Sequence, residues 1–306
     1  EVGDAIAPAN EWFVKNDTVV TVGVHRFSET VTSLAFKPML PVATPTSIEE
    51  HLQTGVLHKD RDSGDLVFHS LSMNRETAAS LLSAPQFKSR LPVIVRILDI
   101  PLPIRLPDGR IELPKIGYDP RFRTYCDPGC PMIRPMPVDE ARALLLKIHR
   151  GFCFRDIQSI THALARVITP YCRGLMGWDA RFPLWNYIAN RPRAGKDYLA
   201  GVPMLIYEGV TCEDAPLDGN SEETRKRITA ANMAGRRMMH FANCQTHIDD
   251  PVFIGAITSH VFSARNLGST DARADLRLPN EIEFSISANV GLTYREDVEP
   301  RSRKIA

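Results

Sequence analysis

The chain has 306 residues, of which 43% are hydrophobic and 24% charged, and its formal net charge is +1. This composition is typical of a globular protein that is long enough for two cores. The near-zero charge excludes a global electrostatic attraction to nucleic acid or to membranes, so any such contact must come from a local patch. The six cysteines are spread along the chain, which favours a reducing, cytoplasmic setting.

The first residues, Glu-Val-Gly-Asp, have neither a basic start nor the apolar core of a signal sequence. No run of about 18 apolar residues occurs, so we expect no membrane partner. Residue 1 is Glu rather than Met, which suggests a piece of a longer protein. Cys126 and Cys130 are closely spaced, but no second pair with metal-ligand spacing follows them. We therefore predict two ordinary thiols there rather than zinc ligands.

Residues 1–125 are predicted to form a small α+β domain. β-branched and aromatic residues are enriched in short segments that predict strands: Trp12 to Val14, Thr18 to Val24, Leu66 to His69 and Val93 to Leu98. A turn at Asn16-Asp17 and helices over 47–52 and 74–82 are predicted between them. The Pro- and Gly-rich stretch 100–137 predicts a connector with one hairpin at Asp108-Gly109.

The remainder predicts a helical lead-in over residues 126–180 and an α/β core over 181–306. Apolar stripes indicate helices over 138–148 and 157–168, the second ended by Pro170. Compact apolar runs then predict three strands at 184–189, 238–241 and 282–288, with helices over 220–234 and 252–257 between them. Strands separated by helices predict a parallel sheet in a three-layer α/β core.

The loop that follows the first core strand has the sequence Asn190-Arg-Pro-Arg-Ala-Gly-Lys-Asp197. A strand, a loop ending in Gly-Lys and an immediate helix are what phosphate binding requires, because backbone N–H groups and the positive helix end then face the anion. We predict that the following residues contact a nucleotide: Asn190, Arg193, Ala194, Gly195, Lys196, Asp197 and Tyr198. In the alternative interpretation, Gly195 simply starts a helix.

Two positions depart from the phosphate-loop motif G-x-x-x-x-G-K-[ST]. Asn190 replaces its first glycine, and Asp197 replaces the hydroxyl that binds Mg²⁺. The second core strand also ends in Ala242-Asn243, where a Mg²⁺-binding acid is expected. Since a carboxylate is a good ligand for a hard cation, we hypothesise that Asp197 binds Mg²⁺ in place of the missing acid.

Other polar residues near the strand ends carry two interpretations each. Asp249 and Asp250 are rival metal or water-activating candidates, although helix capping before Pro251 is favoured for both. His247 is predicted to pack in a loop rather than to polarise water. The basic clusters 225–227 and 236–237 predict either DNA backbone contacts or, more commonly, a solvated surface.

The third core strand ends at Asn289, a polar residue suited to contact a γ-phosphate or the attacking water. Arg301 and Arg303 follow it, and arginines are suited to a phosphate bound by a neighbouring subunit. On spacing alone, a solvated basic end explains these two arginines equally well.

The order of motifs resembles the helicase-type AAA+ NTPases that phages, plasmids and integrated elements encode, often fused to or paired with a primase. The motifs that carry the resemblance lie within residues 90–306: Gly117 to Asp119, Asn190 to Ala200, His247 to Asp250, Arg265 to Gly268 and Asn280 to Asn289. The resemblance implies an oligomeric ring, commonly a hexamer, that hydrolyses ATP between subunits and translocates on DNA. It also implies that Gly195 and Lys196 hold the phosphates.

In the same comparison Asn289 corresponds to the sensor, and Arg301 or Arg303 to an arginine finger acting in trans. The family pattern places a further core strand after the finger, so we expect a C-terminal truncation. The resemblance thus implies an ATP- and Mg²⁺-dependent DNA motor or loader in the replication of a mobile element. The alternative is a catalytically degenerate AAA+ module that acts as an oligomeric adaptor for a primase or polymerase. A metabolic kinase using the same loop is disfavoured by the distant arginines.

Overall fold

A computed structural model describes most of the chain. The described residues are 2–26, 32–49, 55–60, 63–70, 73–130, 133–177, 179–191, 193–211, 215–217, 219–244, 247–265, 275–289, 292–295 and 298–306. The chain forms two compact units, which are considered separately below. The first comprises Glu1–Gly23, Phe36–Ile97 and Gly117–Tyr125, and the second comprises Val24–Ala35, Leu98–Ile116 and Cys126–Ala306.

The helices in the described residues are α1 Val2–Ile6, α2 Thr44–Glu49, α3 Arg75–Ser83, α4 Pro85–Lys88, α5 Val138–His149, α6 Ile157–Cys172, α7 Lys196–Glu208, α8 Ser221–Ala234 and α9 Pro251–Thr258. The strands are β1 Trp12–Lys15, β2 Thr18–Arg26, β3 Thr32–Pro38, β4 Gly55–Lys59, β5 Leu66–Ser70, β6 Arg96–Leu98, β7 Ile104–Arg105, β8 Ile111–Glu112, β9 Gly117–Asp119, β10 Thr124–Cys126, β11 Leu184–Ile188, β12 Ala215–Pro216, β13 Met238–Ala242, β14 His247–Ile248, β15 Val261–Arg265, β16 Asp275–Pro279, β17 Glu283–Ala288, β18 Thr293–Tyr294 and β19 Ser302–Ile305.

The first unit is built on the hairpin β1–β2. Asn16 and Asp17 have φ angles of 47° and 64°, the left-handed conformation that a two-residue hairpin turn requires. Trp12 of β1 packs edge-on against Phe87 of α4, with ring centroids 6.1 Å apart. The predicted start of a helix at residue 47 is wrong, because α2 already begins at Thr44. Residues 50–52, the end of that predicted helix, lie outside the described part of the chain.

The second unit contains a five-stranded sheet in the order β12-β13-β17-β11-β19, in which all four neighbouring pairs are parallel. Strand β17 therefore lies between β13 and β11, both of which come earlier in the chain. The alternation along β17 follows the period of a strand: Phe284 and Ile286 belong to one apolar cluster, and Ser285 and Ser287 point to the other face. The unit is mixed α/β around a parallel sheet.

Helices pack against the sheet through two separate apolar clusters. Ile228 of α8 and Phe253 of α9 pack with Phe241, Phe284 and Ile286. A second cluster consists of Ala163 of α6, Leu199 and Ala200 of α7, Trp185 and Tyr187 of β11, and Ile305 of β19. The loop between β11 and α7 is thereby held at both ends, because β11 and α7 pack in the same cluster.

Two local features of this unit differ from the sequence predictions. Helix α6 continues two residues beyond Pro170, to Cys172, because a proline in the last turn interrupts little of the remaining hydrogen bonding. Ser302–Ile305 forms the edge strand β19 beside β11, in a segment where the sequence indicated a basic end or finger. Within the described residues, no helix combines the length and apolar character that crossing a membrane requires.

Candidate functional site

The loop between β11 and α7 lies at the carboxyl edge of the parallel sheet. Asn243 follows β13 and Asn289 follows β17, and β17 lies between β13 and β11. Because the strands are parallel, the residues that follow them share one edge. In α/β sheets this edge is the usual place for a ligand.

The loop backbone turns sharply just before α7. Arg193 and Gly195 have φ angles of 61° and 84°, and both therefore adopt the left-handed conformation. A glycine is favoured at such a position, and it leaves the first turn of α7 without a capping side chain. Asn190, Arg193, Ala194 and Tyr198 are exposed, as a ligand-facing loop requires, whereas Pro192 lies outside the described residues.

Lys196 turns inward rather than towards solvent, and its side chain is only 9% exposed. Its Nζ lies 3.1 Å from Oδ2 of Asp197 and donates a hydrogen bond to Oδ1 of Asn243 at 3.2 Å. The ammonium group therefore sits between the first turn of α7 and the end of β13. This position suits contact with an anion bound at the sheet edge.

Asp197 lies over a buried histidine of β13. Oδ1 of Asp197 is 3.5 Å from Nε2 of His240, a contact longer than a well-formed hydrogen bond. The nearby His240 has the largest effect in holding the pKa of the Asp197 carboxyl well below its usual range, with Ser287 and Lys196 adding to it against the opposing effect of burial. Asp197 is therefore a carboxylate at neutral pH.

Hydrogen bonds join the end of β13 to β17. The N–H of Asn243 donates to Oγ of Ser287 at 3.2 Å, and the N–H of Cys244 donates to the carbonyl of Ser287 at 2.8 Å. Asn243 has a φ angle of 52°, a left-handed conformation that asparagine tolerates better than most residues. The backbone thus gives a local reason for asparagine at this position. Oδ1 of Asn289, after β17, is buried and has no hydrogen-bond partner in the described part of the chain.

The two predicted finger arginines lie towards the amino-terminal ends of β19 and its neighbour β11, whereas the loop begins at the carboxyl end of β11. Trp185, near the start of β11, pairs with Arg303, whereas the loop follows the far end of β11 after Ile188. Arg301 directly precedes β19. The guanidinium of Arg303 donates to the carbonyls of Pro300 and Ser302. Within one chain the structure therefore does not bring these arginines to the loop.

Of the two aspartates predicted as rival candidates before α9, Asp250 has a structural role. Asp250 accepts hydrogen bonds from the N–H groups of Val252 and Phe253 and from the hydroxyls of Ser221 and Thr224. It is therefore the N-cap of α9, as the capping interpretation predicted. Asp249 is exposed, and Nδ1 of His247 lies 2.9 Å from Oγ1 of Thr293.

The basic clusters are engaged within the chain. Lys226 and Arg227 pair with glutamates one turn earlier on α8, and Arg225 donates to the carbonyl of Ser263. Arg236 lies 3.7 Å from Glu208, and Arg237 is buried. The contacts of the cluster 225–227 are consistent with the solvated-surface interpretation. The cluster 236–237 does not fit that interpretation, because Arg237 is buried.

No group of three or more His, Cys, Asp or Glu side chains with metal-binding geometry occurs among the described residues. Cys126 and Cys130 are free thiols packed with apolar side chains, and burial raises the pKa of Cys126 to about 12. Cys212 and residues 266–268 of the predicted motif lie outside the described residues.

Sequence reasoning missed His240, which it treated as one residue of an apolar strand. The available signal was a set of polar residues in strands that otherwise read as core, namely His240, Ser285 and Ser287. Their grouping requires β13 and β17 to be neighbours, which the sequence pattern does not specify.

No protein-family model matches the chain, and no curated protein matches it. Among solved structures, the chain is similar to an SCCmec type IV Cch active helicase, with 11% sequence identity and a TM-score of 0.35. The match covers 96% of this chain and 58% of that chain, so this chain spans little more than half of that helicase. The likeness is weak and assigns no function.

Proposed function

We propose that the loop 189–195 and the first turn of α7 bind the phosphates of ATP together with Mg²⁺, in a P-loop domain of the helicase-type AAA+ class. The observation that carries the proposal is the position of Lys196. Its Nζ is nearly buried at the carboxyl edge of a parallel sheet, 3.2 Å from Oδ1 of Asn243, directly beside an uncapped helix start. A cation and free N–H groups at this edge are the two elements that phosphate binding needs.

The oxygen atoms near Lys196 fit a hard cation. The Asp197 carboxylate lies in the first turn of α7, and the side-chain amides of Asn243 and Asn289 follow the ends of β13 and β17. Oδ1 of Asn289 is buried and has no hydrogen-bond partner among the described residues. Mg²⁺ prefers carboxylate and carbonyl oxygens and keeps several of its waters. Asp197 and the amide oxygens would hold the ion, which would neutralise phosphate charge.

The pairing of Lys196 with Asp197 makes nucleotide binding depend on the metal. Without ligand the lysine balances the charge of its neighbour at 3.1 Å. When Lys196 turns to a phosphate, Asp197 is left as a negative charge near the phosphate, and the two repel each other unless a cation lies between them. We therefore expect ATP to bind far more tightly with Mg²⁺ than without it.

The primary function that this site would serve is that of a DNA motor or loader in the replication of a mobile element. The chain would act there as an oligomeric ring. The second candidate is the oligomeric adaptor for a primase or polymerase, and Asn243 favours it. An amide at the end of β13 cannot accept a proton from water, so hydrolysis at this site would be slow.

Titration with a fluorescent ATP analogue, with and without Mg²⁺, tests the phosphate site. We expect Lys196→Ala to weaken binding by tenfold or more, on the order of the 1.4 kcal/mol that a lost charge-assisted contact contributes. Lys147→Ala, on the exposed face of α5, is the matched control and should bind as the wild type does. Equal binding by the Lys196→Ala variant, or no binding by the wild type, would contradict the site.

Phosphate release with and without single-stranded DNA separates the two candidate functions. DNA-stimulated hydrolysis that Lys196→Ala removes supports the motor. Nucleotide binding without hydrolysis above that of the Lys196→Ala variant supports the adaptor.

A further inference from the structure

His240 lies directly beneath Asp197, the proposed ligand of the cation. Its imidazole is 1% exposed and comes from the middle of β13. Nδ1 lies 2.9 Å from Oγ of Ser285, and Nε2 is buried and faces Oδ1 of Asp197 at 3.5 Å. Since buried polar groups are nearly always hydrogen-bonded, a fully buried ring nitrogen that faces a carboxylate indicates an interaction between the two.

The contacts of the two ring nitrogens of His240 favour the tautomer that carries its proton on Nε2. Oγ of Ser285 has one hydrogen, and its nearest acceptors are Nδ1 of His240 at 2.9 Å and the carbonyl of Met239 at 3.4 Å. When the hydroxyl donates to Nδ1, the proton of the neutral ring is on Nε2 and points at Asp197. The other tautomer would set the Nε2 lone pair against a carboxylate, which is repulsive.

The ring is also held in place from the side. Tyr187 of β11 packs against it at 74°, with ring centroids 6.3 Å apart. Because Ser285, Tyr187 and β13 itself fix the imidazole, His240 defines where a hydrogen-bonded Oδ1 of Asp197 must lie. The other carboxylate oxygen, Oδ2, contacts Lys196 at 3.1 Å.

We propose that His240 is a positioning residue that holds Oδ1 of Asp197, so that this carboxylate binds Mg²⁺ only through Oδ2 once Lys196 turns to the nucleotide. This inference rests on the proposed function. A short shift would bring the 3.5 Å contact into hydrogen-bond range, and the donor would then orient the carboxylate as outer-sphere partners orient metal ligands. Asp197 therefore binds the cation through one oxygen rather than two.

A pair of conservative variants separates this role from simple packing. Glutamine extends its amide to about the position of Nε2, so His240→Gln retains a donor to Asp197. Asparagine is shorter and ends near the position of Nδ1, so His240→Asn retains a polar group but leaves Oδ1 of Asp197 without its donor. The measurement is the Mg²⁺ concentration that gives half-maximal binding of the fluorescent ATP analogue.

We expect His240→Asn to raise that concentration by tenfold or more, the usual effect of losing an outer-sphere partner, and His240→Gln to change it less than about threefold. Nucleotide binding without metal should be the same in both. A wild-type Mg²⁺ dependence in His240→Asn overturns the positioning role, and so does an equal loss in both variants with and without metal. If the wild type binds no ATP with Mg²⁺, the proposed function fails instead.

A spectroscopic measurement on the wild type covers the case in which either variant does not fold. The ¹⁵N shifts of histidine-labelled protein distinguish a protonated from an unprotonated ring nitrogen, and the resonances of His240 are those that Ser285→Ala displaces most. We expect the proton on Nε2. A neutral ring with its proton on Nδ1 would overturn the proposal.

Discussion

Nζ of Lys196 lies 3.2 Å from Oδ1 of Asn243, so the first residue of α7 meets the residue that directly follows β13. The amide accepts this hydrogen bond without adding charge. The negative charge beside the lysine comes instead from Asp197, the next residue in the chain. A carboxylate has thus been placed at the helix start while the strand end carries an amide.

This relationship predicts that a carboxylate in place of the amide after β13 increases ATP hydrolysis. We expect Asn243→Asp to raise Mg²⁺-dependent ATP hydrolysis by tenfold or more, because a carboxylate there can order the cation and accept a proton from water, an effect that typically contributes about 10²- to 10⁴-fold. The measurement is steady-state phosphate release at saturating ATP.

Asp197→Thr provides the complementary change, since it restores a hydroxyl at the helix start. We expect this variant alone to bind Mg²⁺ and ATP more weakly, and the double variant Asp197→Thr, Asn243→Asp to recover that binding. If the change in Mg²⁺ and ATP affinity of the double variant equals the sum of the changes in the two single variants, Asp197 does not compensate for the amide at Asn243.

Arg301 and Arg303 provide a test for a site shared between subunits. Arg301 precedes β19 and Arg303 pairs with Trp185 near the start of β11, whereas the loop follows the other end of β11. We therefore expect these arginines to act, if at all, on a nucleotide bound by a neighbouring chain. If Arg301 acts in trans, Arg301→Ala should lower the rate of hydrolysis by tenfold or more while leaving ATP affinity unchanged. Arg303→Ala is the matched comparison, because its guanidinium already donates to two nearby carbonyls.

Mixing experiments show whether the arginine acts between chains. Arg301→Ala mixed with Lys196→Ala should recover activity above either variant alone, since one interface then combines an intact loop with an intact arginine. Unchanged hydrolysis in the Arg301→Ala variant at all protein concentrations would remove Arg301 from the mechanism.

Asp250 is expected to affect stability rather than chemistry. Four groups donate to its buried carboxylate, two of them N–H groups at the start of α9. Asp250→Ala should lower the free energy of unfolding by about 3 kcal/mol, through loss of the cap and two hydroxyls left without their acceptor. Asp249→Ala, one residue earlier and exposed, should change it by less than about 0.5 kcal/mol in urea denaturation. A stable Asp250→Ala variant that loses hydrolysis would instead support a water-activating role.

Local pattern was sufficient to predict the strands around the site. The segments that became β11, β13 and β17 are compact apolar runs or alternate with period two, and both patterns follow from burial in a sheet. The sequence also predicted a helix over 220–234, and Asn220 caps this helix α8 by accepting from the N–H groups of Glu222 and Glu223.

Elements that depend on distant partners escaped prediction. β19 carries Arg303 and Lys304 among its four residues, and it becomes a strand because the open edge of β11 pairs with it. β12 has two residues and likewise depends on its pairing with β13. For the proposed site, the sequence pattern pointed to Lys196 and Asp197 but not to His240, since the contact of His240 with Ser285 exists only through the strand order.

Asp99 provides a pH-dependent contribution to the stability of the second unit. Burial raises the pKa of its carboxyl from 3.8 to about 6, although the N–H of Leu34 donates to Oδ1 at 2.9 Å and opposes the shift. The folded state therefore binds this proton more tightly than the unfolded state does. Stability is greatest while the carboxyl is protonated in both states, and it falls as pH rises from about 4 to about 6.

Between about pH 4 and about pH 7 we expect the free energy of unfolding to fall by about 2 kcal/mol. Each pKa unit corresponds to about 1.4 kcal/mol, and partial exposure of the side chain reduces the total. Asp99→Asn keeps an acceptor for Leu34 and removes the titration, so its pH dependence should be flatter than that of the wild type by this amount. Urea denaturation at the two pH values measures the difference, with Asp65→Asn at an exposed carboxyl as the control. Identical pH dependence in the wild type and Asp99→Asn would mean that the buried carboxyl ionises without cost, because a neighbouring cation such as Arg237 then compensates fully for its burial.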